Sequence, residues 1–195
     1  MLNSSQNTSH SSVATLDSSL VSYRSAMAHS ASPILTVRHA EPGDINAIHT
    51  MLHCPSVLYW TVDLPFARVE DTYQQLLKQS RDYVLVACDR STVVGVLRLS
   101  ILPTPRLQHT GRLGSLAVHP NHQGKGAGSA LFKAALDLAD NWLNLHRLEL
   151  LVYADNQAAI GLYQKYGFET EGTLRNFAFR AGRYVDGLLM ARLSP

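Results

Sequence analysis

Residues 123 to 128 read Gln123-Gly124-Lys125-Gly126-Ala127-Gly128, between a strand-like stretch, Arg112 to Val118, and a helix-like stretch that runs to about Leu145. Three glycines within five residues let the backbone curl and turn its N–H groups inward, and a helix start adds the positive end of a dipole. The chemistry such a loop offers is phosphate binding, with a pyrophosphate as the natural guest. Two familiar glycine loops do not fit. A Walker A loop needs Gly where His119 stands, and Ser or Thr after the lysine, where Gly126 stands. A dinucleotide fingerprint needs its third glycine three residues after the second, not two, and an acidic ribose partner that is missing at the expected distance.

Other chemistry-bearing residues are sparse. His119 and His122 flank Pro120 in a loop with no third ligand nearby in sequence, so no metal is expected. Cys54 and Cys88 lie far apart without metal or disulfide spacing and are expected in the core. The net charge of +2 comes without a dense basic run or basic-aromatic interleaving, so nucleic acid is not an expected partner and small anionic ligands are. No apolar run approaches the ~18 residues of a membrane span. With no secretory signal at the N-terminus, the cytoplasm is the expected setting.

The elements that position the loop can be read from periodicity. Residues 1–33 are crowded with Ser and almost free of periodic hydrophobics, which predicts a flexible extension; a transit peptide is the other reading, against which stand Asp17 and little basic charge. From residue 34 the order is β-α-α-β-β-β-α-β-α-β-β, an α/β fold with a mixed sheet. A strand spans Ile34 to His39, a helix runs from Pro42 to about Leu52, and a second helix spans Phe66 to Ser80. Strands follow at Tyr83–Cys88 and Val93–Ile101, joined by Asp89-Arg90-Ser91-Thr92 as a tight hairpin. Leu131, Ala135, Leu138 and Trp142 form one apolar stripe on the helix after the glycine loop. In the next strand Leu148, Leu150 and Val152 alternate with Glu149, Leu151 and Tyr153, and Asp155 or Asn156 caps the following helix. A closing hairpin, Phe168–Phe179 and Tyr184–Leu193, turns at Arg180-Ala181-Gly182-Arg183.

Two blocks at characteristic spacing carry a resemblance. Gln123, Gly126 and Gly128 match Q-x-x-G-x-G, and Asn156 to Phe168 match N-x-x-A-x-x-L-Y-x-x-x-G-F; together they resemble the GCN5-related N-acetyltransferases over nearly all of residues 34–195. Val37-Arg38-His39-Ala40-Glu41, Asp140-Asn141-Trp142-Leu143, Arg147-Leu148-Glu149-Leu150, Lys165 to Thr173 and Gly182-Arg183-Tyr184-Val185-Asp186 are similar to a bacterial subgroup that acetylates free L-amino acids. The resemblance implies acetyl-CoA as co-substrate, no metal, a small-molecule amine as acceptor, and a homodimer as the usual assembly. It implies that backbone groups of Leu116, Ala117 and Val118 meet the pantetheine arm. Gln123, Gly124, Gly126, Gly128 and Ser129 would hold the pyrophosphate, with Lys125 and Ala127 contributing backbone only. Asn156 and Tyr163 would line the far side of the thioester, where two strands splay.

Attack of an amine on a thioester places negative charge on the carbonyl oxygen, which a backbone N–H at Leu116 or Val118 would stabilise. The departing thiolate needs a proton, and Tyr163 is the candidate acid; a core aromatic is its plainer reading. The base stays open between Glu149 acting through water and ordered water alone. Tyr59 and Trp60 form the acceptor pocket or plug the core beneath it. Arg180, Tyr184 and Asp186 grip an amino acid's charged groups or decorate a solvated turn. The leading expectation is acetyl transfer to the α-amino group of an L-amino acid or similar small amine. Alternatives are a protein N-terminus, a lysine or an antibiotic amine as acceptor, and a non-catalytic acyl-CoA sensor.

Overall fold

A computed structural model describes residues 35–78 and 82–194. The Ser-rich extension assigned to residues 1–33, the strand start at Ile34 and the last residues of the expected second helix, 79 and 80, lie outside the described residues. Seven strands form one mixed sheet in the order β1-β2-β3-β4-β5-β7-β6. They are β1 (Leu35–His39), β2 (Asp82–Asp89), β3 (Thr92–Ile101), β4 (Thr110–Val118), β5 (Arg147–Tyr153), β6 (Glu169–Arg180) and β7 (Arg183–Leu193). All neighbours are antiparallel except β4 and β5. Helices α1 (Ile45–Leu52), α2 (Pro55–Leu58), α3 (Val69–Leu76), α4 (Ala127–Asp137) and α5 (Gln157–Lys165) flank it. Among the described residues no helix is long and apolar enough to cross a membrane.

The strand period of two divides the core between the sheet's faces. On β2, Val84, Val86 and Cys88 join Ile48, Met51 and Leu76 from α1 and α3. Leu85 and Ala87 face the other way, among Leu131, Phe132 and Ala135 of α4 and Ile160 and Tyr163 of α5. Both expected hairpins form with two-residue loops. Asp89 pairs with Thr92 and Arg180 with Arg183, and the second loop, Ala181-Gly182, has φ of 51° and 81°, the double positive φ that matches strand twist.

Three expectations need correction. The second helix begins at Val69, because Phe66 takes φ of 66° and is 99% exposed, outside the helical conformation. The stripe on α4 stops before Trp142, which is 76% exposed. There the helix passes into a π-turn, Leu138–Trp142, in which Leu143 N donates to Leu138 O at 3.0 Å; the wider turn rotates Trp142 off the core line. Arg192 of β7 holds that turn by a two-pronged ion pair with Asp140 at 2.8 and 3.0 Å. Finally, Cys88 is buried as expected, whereas Cys54 is half-buried at the start of α2 with its sulfur 3.6 Å from the Ser56 hydroxyl.

Candidate active site

The parallel pair β4 and β5 is joined at Thr110–Arg147, Gly111–Leu148 and Arg112–Glu149, and beyond those residues the strands part. The cause sits on the other side of β4. Val96 pairs with Ala117 but Arg98 with Gly114, so Ser115 and Leu116 both stand opposite Leu97, and Ser115 takes φ of 49°. A bulge of this kind bends its strand, and here β4 is bent out of the pairing with β5. The resulting cleft encloses about 800 Å³, lined by the diverging strand ends, the first turns of α4 and α5, and the segment after α2.

Alternate residues of a strand direct their N–H and C=O to opposite sides. His119 N donates to Val94 O at 2.8 Å and Ala117 pairs with Val96, so both face β3. Val118, and Leu116 two residues before it, therefore turn their main-chain groups toward the wedge. Gln123 braces the loop. Its side-chain amide donates to Val118 O at 3.0 Å and its N–H to Pro120 O at 3.3 Å, so the residue expected to hold pyrophosphate is engaged with the strand end and the turn that follows it. Open donors follow it: among the described residues, the N–H groups of Gly124 to Ser129 enter no internal hydrogen bond, and the first helical bond is Ala130 N to Gly126 O at 2.9 Å. Gly124 and Gly126 carry the curl at φ of 72° and 90°. Gly126, Gly128, Ala127 and Ser129 line the cleft, as do Gly124 and Gln123; Lys125 does not.

Across the cleft, Asn156 caps α5, accepting from Ala159 N at 3.2 Å through its side-chain oxygen. Tyr163, two turns further along, lines the cleft with its ring packed 5.4 Å from Phe132 and beside Phe168. Burial pushes its phenol up to about 12, so the hydroxyl keeps its proton throughout the neutral range. Tyr166 ties the two helices together, donating to Ser129 O at 3.4 Å.

The remaining site residues are dispersed. Glu149 does not line the cleft: it accepts from Arg112 at 2.5 and 2.9 Å, and Arg147 stands 3.5 Å from its other oxygen, in the section where β4 and β5 are still paired. Arg180 is 7% exposed and set in a box of rings, with Tyr59, Tyr153 and Trp60 centred 4.2, 4.5 and 4.9 Å from its guanidinium carbon. It pairs with Asp155, whose carboxyl it holds below the usual range. Trp60 lines the cleft; Tyr59 does not, and packs edge-on to Trp60 at 4.9 Å. Tyr184 is 65% exposed at the hairpin, packed on Phe179. Asp186 accepts from Asn176 N at 2.8 Å, stabilising a bulge in β6 that drops Phe177 onto Gly187 and into the cleft wall.

Three contributors escaped the sequence reading. Tyr153 donates its hydroxyl to Thr61 O at 2.8 Å, fixing the segment after α2 against the end of β5. Phe177 completes the aromatic wall, and Asp63 is the one carboxylate-bearing residue lining the cleft among the described residues. The first two depend on contacts between distant segments; Asp63 offered only a lone acid in a connection.

The geometry is that of a site for an extended phosphate ester entering between parted strands, and comparison with known proteins agrees. Residues 47–168 match the sequence profile of the acetyltransferase (GNAT) family. The L-amino acid N-acetyltransferase AaaT of Escherichia coli K12 is 37% identical over 159 residues, covering 82% of this chain and 98% of that protein. The crystal structure of ribosomal-protein-alanine N-acetyltransferase from Brucella melitensis matches at a TM-score of 0.74 with 27% identity, over 82% of this chain and 99% of that one. Spermidine N-acetyltransferase from Vibrio cholerae, solved in complex with CoA and spermine, matches at 0.72 with 29% identity, over 82% of this chain and 95% of that one. The chain belongs to the acetyltransferase (GNAT) family and is an acetyl-CoA-dependent N-acetyltransferase.

Proposed function

We propose that the acceptor is the α-amino group of a free L-amino acid, and that the acetyl group passes to it by direct attack on the thioester of acetyl-CoA. The open N–H groups from Gly124 to Ser129 hold the diphosphate, with Gln123 bracing their loop. Main-chain groups of Leu116, Ala117 and Val118 guide the pantetheine arm, and an N–H at Leu116 or Val118 meets the charge that develops on the carbonyl oxygen. Asn156 lines the far side of the thioester. Tyr163 hands its proton to the departing sulfur, a role suited to a side chain that lines the cleft and keeps its proton.

The observation that carries the acceptor assignment is the charge of the cleft wall. Asp63 is the single carboxylate lining it among the described residues, beside Trp60, Tyr153 and Phe177, while Arg98 and Arg112 line it with their charges paired to Asp82 and Glu149. One unpaired negative charge among apolar rings suits a single ammonium beside an apolar side chain, and gives a polyamine with several positive charges too few partners. The 37% identity to an L-amino acid N-acetyltransferase supports the same reading. A thiol-release assay across the amino acids, spermidine and an N-terminal peptide tests it: turnover confined to the polyamine or the peptide refutes it. A single acetyltransferase domain over residues 34–195, a cytoplasmic setting and a homodimeric assembly belong to this proposal. Limited proteolysis, cell fractionation and light scattering check them in turn.

A further inference from the structure

We propose that Asp63 binds the acceptor's ammonium group and, as the new bond forms, takes the proton that the nitrogen must lose. The proposal rests on reading the cleft as an acceptor-amine site, and it names the chemistry of that site's missing base.

Elimination among the cleft's titratable side chains leads to this residue. Those lining it are Asp63, Arg98, Arg112, His122, Tyr153 and Tyr163. The two guanidiniums are always charged and accept no proton. Tyr153 has committed its hydroxyl to Thr61 O at 2.8 Å, and its phenol is raised by burial, with Asp155 and Asp63 adding to the shift against Arg180. His122 adjoins the glycine loop, its Nε2 3.7 Å from Asp89, at the diphosphate end of the cleft. Tyr163 is needed as a donor. Glu149, the sequence-based candidate, is held between Arg112 and Arg147 outside the cleft. Asp63 alone remains, half-buried, with a carboxylate that enters no hydrogen bond or ion pair among the described residues.

Its position is fixed by main-chain contacts. Asp63 N donates to the Thr61 hydroxyl at 3.2 Å, that hydroxyl donates to Leu58 O at 3.2 Å, and Thr61 O receives the Tyr153 hydroxyl. Asp63 is thereby tethered to the end of β5, where β4 and β5 have separated. An ammonium arriving there meets one unpaired negative charge.

The step balances. The bound ammonium first releases one proton to solvent; the free amine nitrogen so formed then makes a bond to the thioester carbon, becomes cationic, and gives its next proton to the Asp63 carboxylate, directly or through one water. The carbon–sulfur bond breaks, and the sulfur takes the Tyr163 proton. Asp63 then releases its proton to solvent and Tyr163 regains one.

The test compares wild type, Asp63→Asn and Asp63→Glu for turnover of the best amine found in the acceptor screen, together with melting temperature and CoA affinity. We expect Asp63→Asn to lower kcat about 10²-fold or more, the low end for a general base, and to raise the amine KM about tenfold. CoA affinity and melting temperature stay at wild-type values, and Asp63→Glu recovers part of the rate. A second acceptor, an amine uncharged at neutral pH, shows a smaller KM change because it brings no ammonium to bind. Asp63→Asn within twofold of wild type in both parameters overturns the proposal while leaving the amino acid reading intact. If wild type prefers another class of amine and Asp63→Asn still loses it, the proposal holds and the amino acid reading falls. A lowered melting temperature accompanied by no rescue in Asp63→Glu assigns Asp63 to structure and overturns the proposal.

Discussion

Replacing Gly128 by Ala separates the stability of the glycine loop from its function, and the two are expected to move in opposite directions. Gly128 is the second residue of α4, with no positive φ, and an added Cβ would sit 3.7 Å from Val118 Cγ2 and 3.9 Å from Leu162 Cδ2, ordinary contact distances. Ala in place of Gly inside a helix is worth up to ~1 kcal/mol, less near its start, so a gain of about 0.5 kcal/mol is expected. For a chain of this size that raises Tm by roughly 1–2 °C.

The same methyl group stands between β4 and α5, in the mouth of the cleft, and crowds the N–H proposed to reach the diphosphate. Loss of one charge-assisted hydrogen bond, ~1.5–3 kcal/mol, weakens CoA binding about ten- to hundredfold. Calorimetry with CoA and a thermal melt on the same preparation make the measurement. Gly161→Ala is the control: it lies in α5, its Cβ would meet nothing within 4 Å, and it is not on the cleft. It should raise Tm without touching affinity. Unaltered CoA affinity in Gly128→Ala with an intact fold refutes the assignment of the α4 start to the diphosphate.

Tyr163→Phe is expected to cut turnover ~10²- to 10⁴-fold with CoA affinity unchanged in calorimetry. It should also alter alkaline stability: with the folded phenol at about 12 against ~10 unfolded, the unfolded chain loses the proton first. This phenol's contribution is therefore full below pH ~10 and falls by up to about 3 kcal/mol through pH ~12, so urea melts should find a shallower alkaline decline in the Phe variant, where the raised Tyr153 phenol still contributes. Arg180→Met removes a guanidinium stacked on three rings, at ~0.5–1 kcal/mol for each exposed-type contact and more when desolvated; a loss of about 2 kcal/mol, a shifted Trp60 fluorescence and a raised amine KM are expected, with CoA affinity constant. Trp142→Gln, at an exposed position, should stay within ~0.5 kcal/mol of wild type in denaturant melts.

The strands and hairpins were legible because their signals are local. Alternation on β5 placed Leu148, Leu150 and Val152 in the core, and the four residues read as each hairpin's turn are the ones that close it. Where a helix departs from regular geometry, periodicity misleads. Nothing in Leu138-Ala139-Asp140-Asn141-Trp142 announces a π-turn, since the clamp that accompanies it, Arg192, comes 52 residues after Asp140. Phe66, expected to open the second helix, takes a left-handed backbone set by the chain's path.

The two halves of the site differed in legibility for a related reason. The side proposed for the coenzyme is assembled from two nearly continuous stretches, 116–129 and 156–168, whose glycines and cap residues leave a spacing that survives in one dimension. The side proposed for the acceptor joins Trp60 and Asp63 from the segment after α2, Tyr153 from β5, and Phe177 from a bulge in β6, backed by Arg180 at the end of that strand. Each of these residues is ordinary in its own neighbourhood; what makes them a wall is contact across long sequence separations, such as the Tyr153–Thr61 hydrogen bond spanning 92 positions. On this proposal main-chain donors bind on the first side and side chains on the second. A loop that binds through N–H groups tolerates change at positions such as Lys125, which stays off the cleft, provided the glycines keep its curl. A wall built from side chains changes its guest with any one of them. The same fold can therefore keep its coenzyme while its acceptor drifts, as relatives acting on amino acids and on spermidine attest.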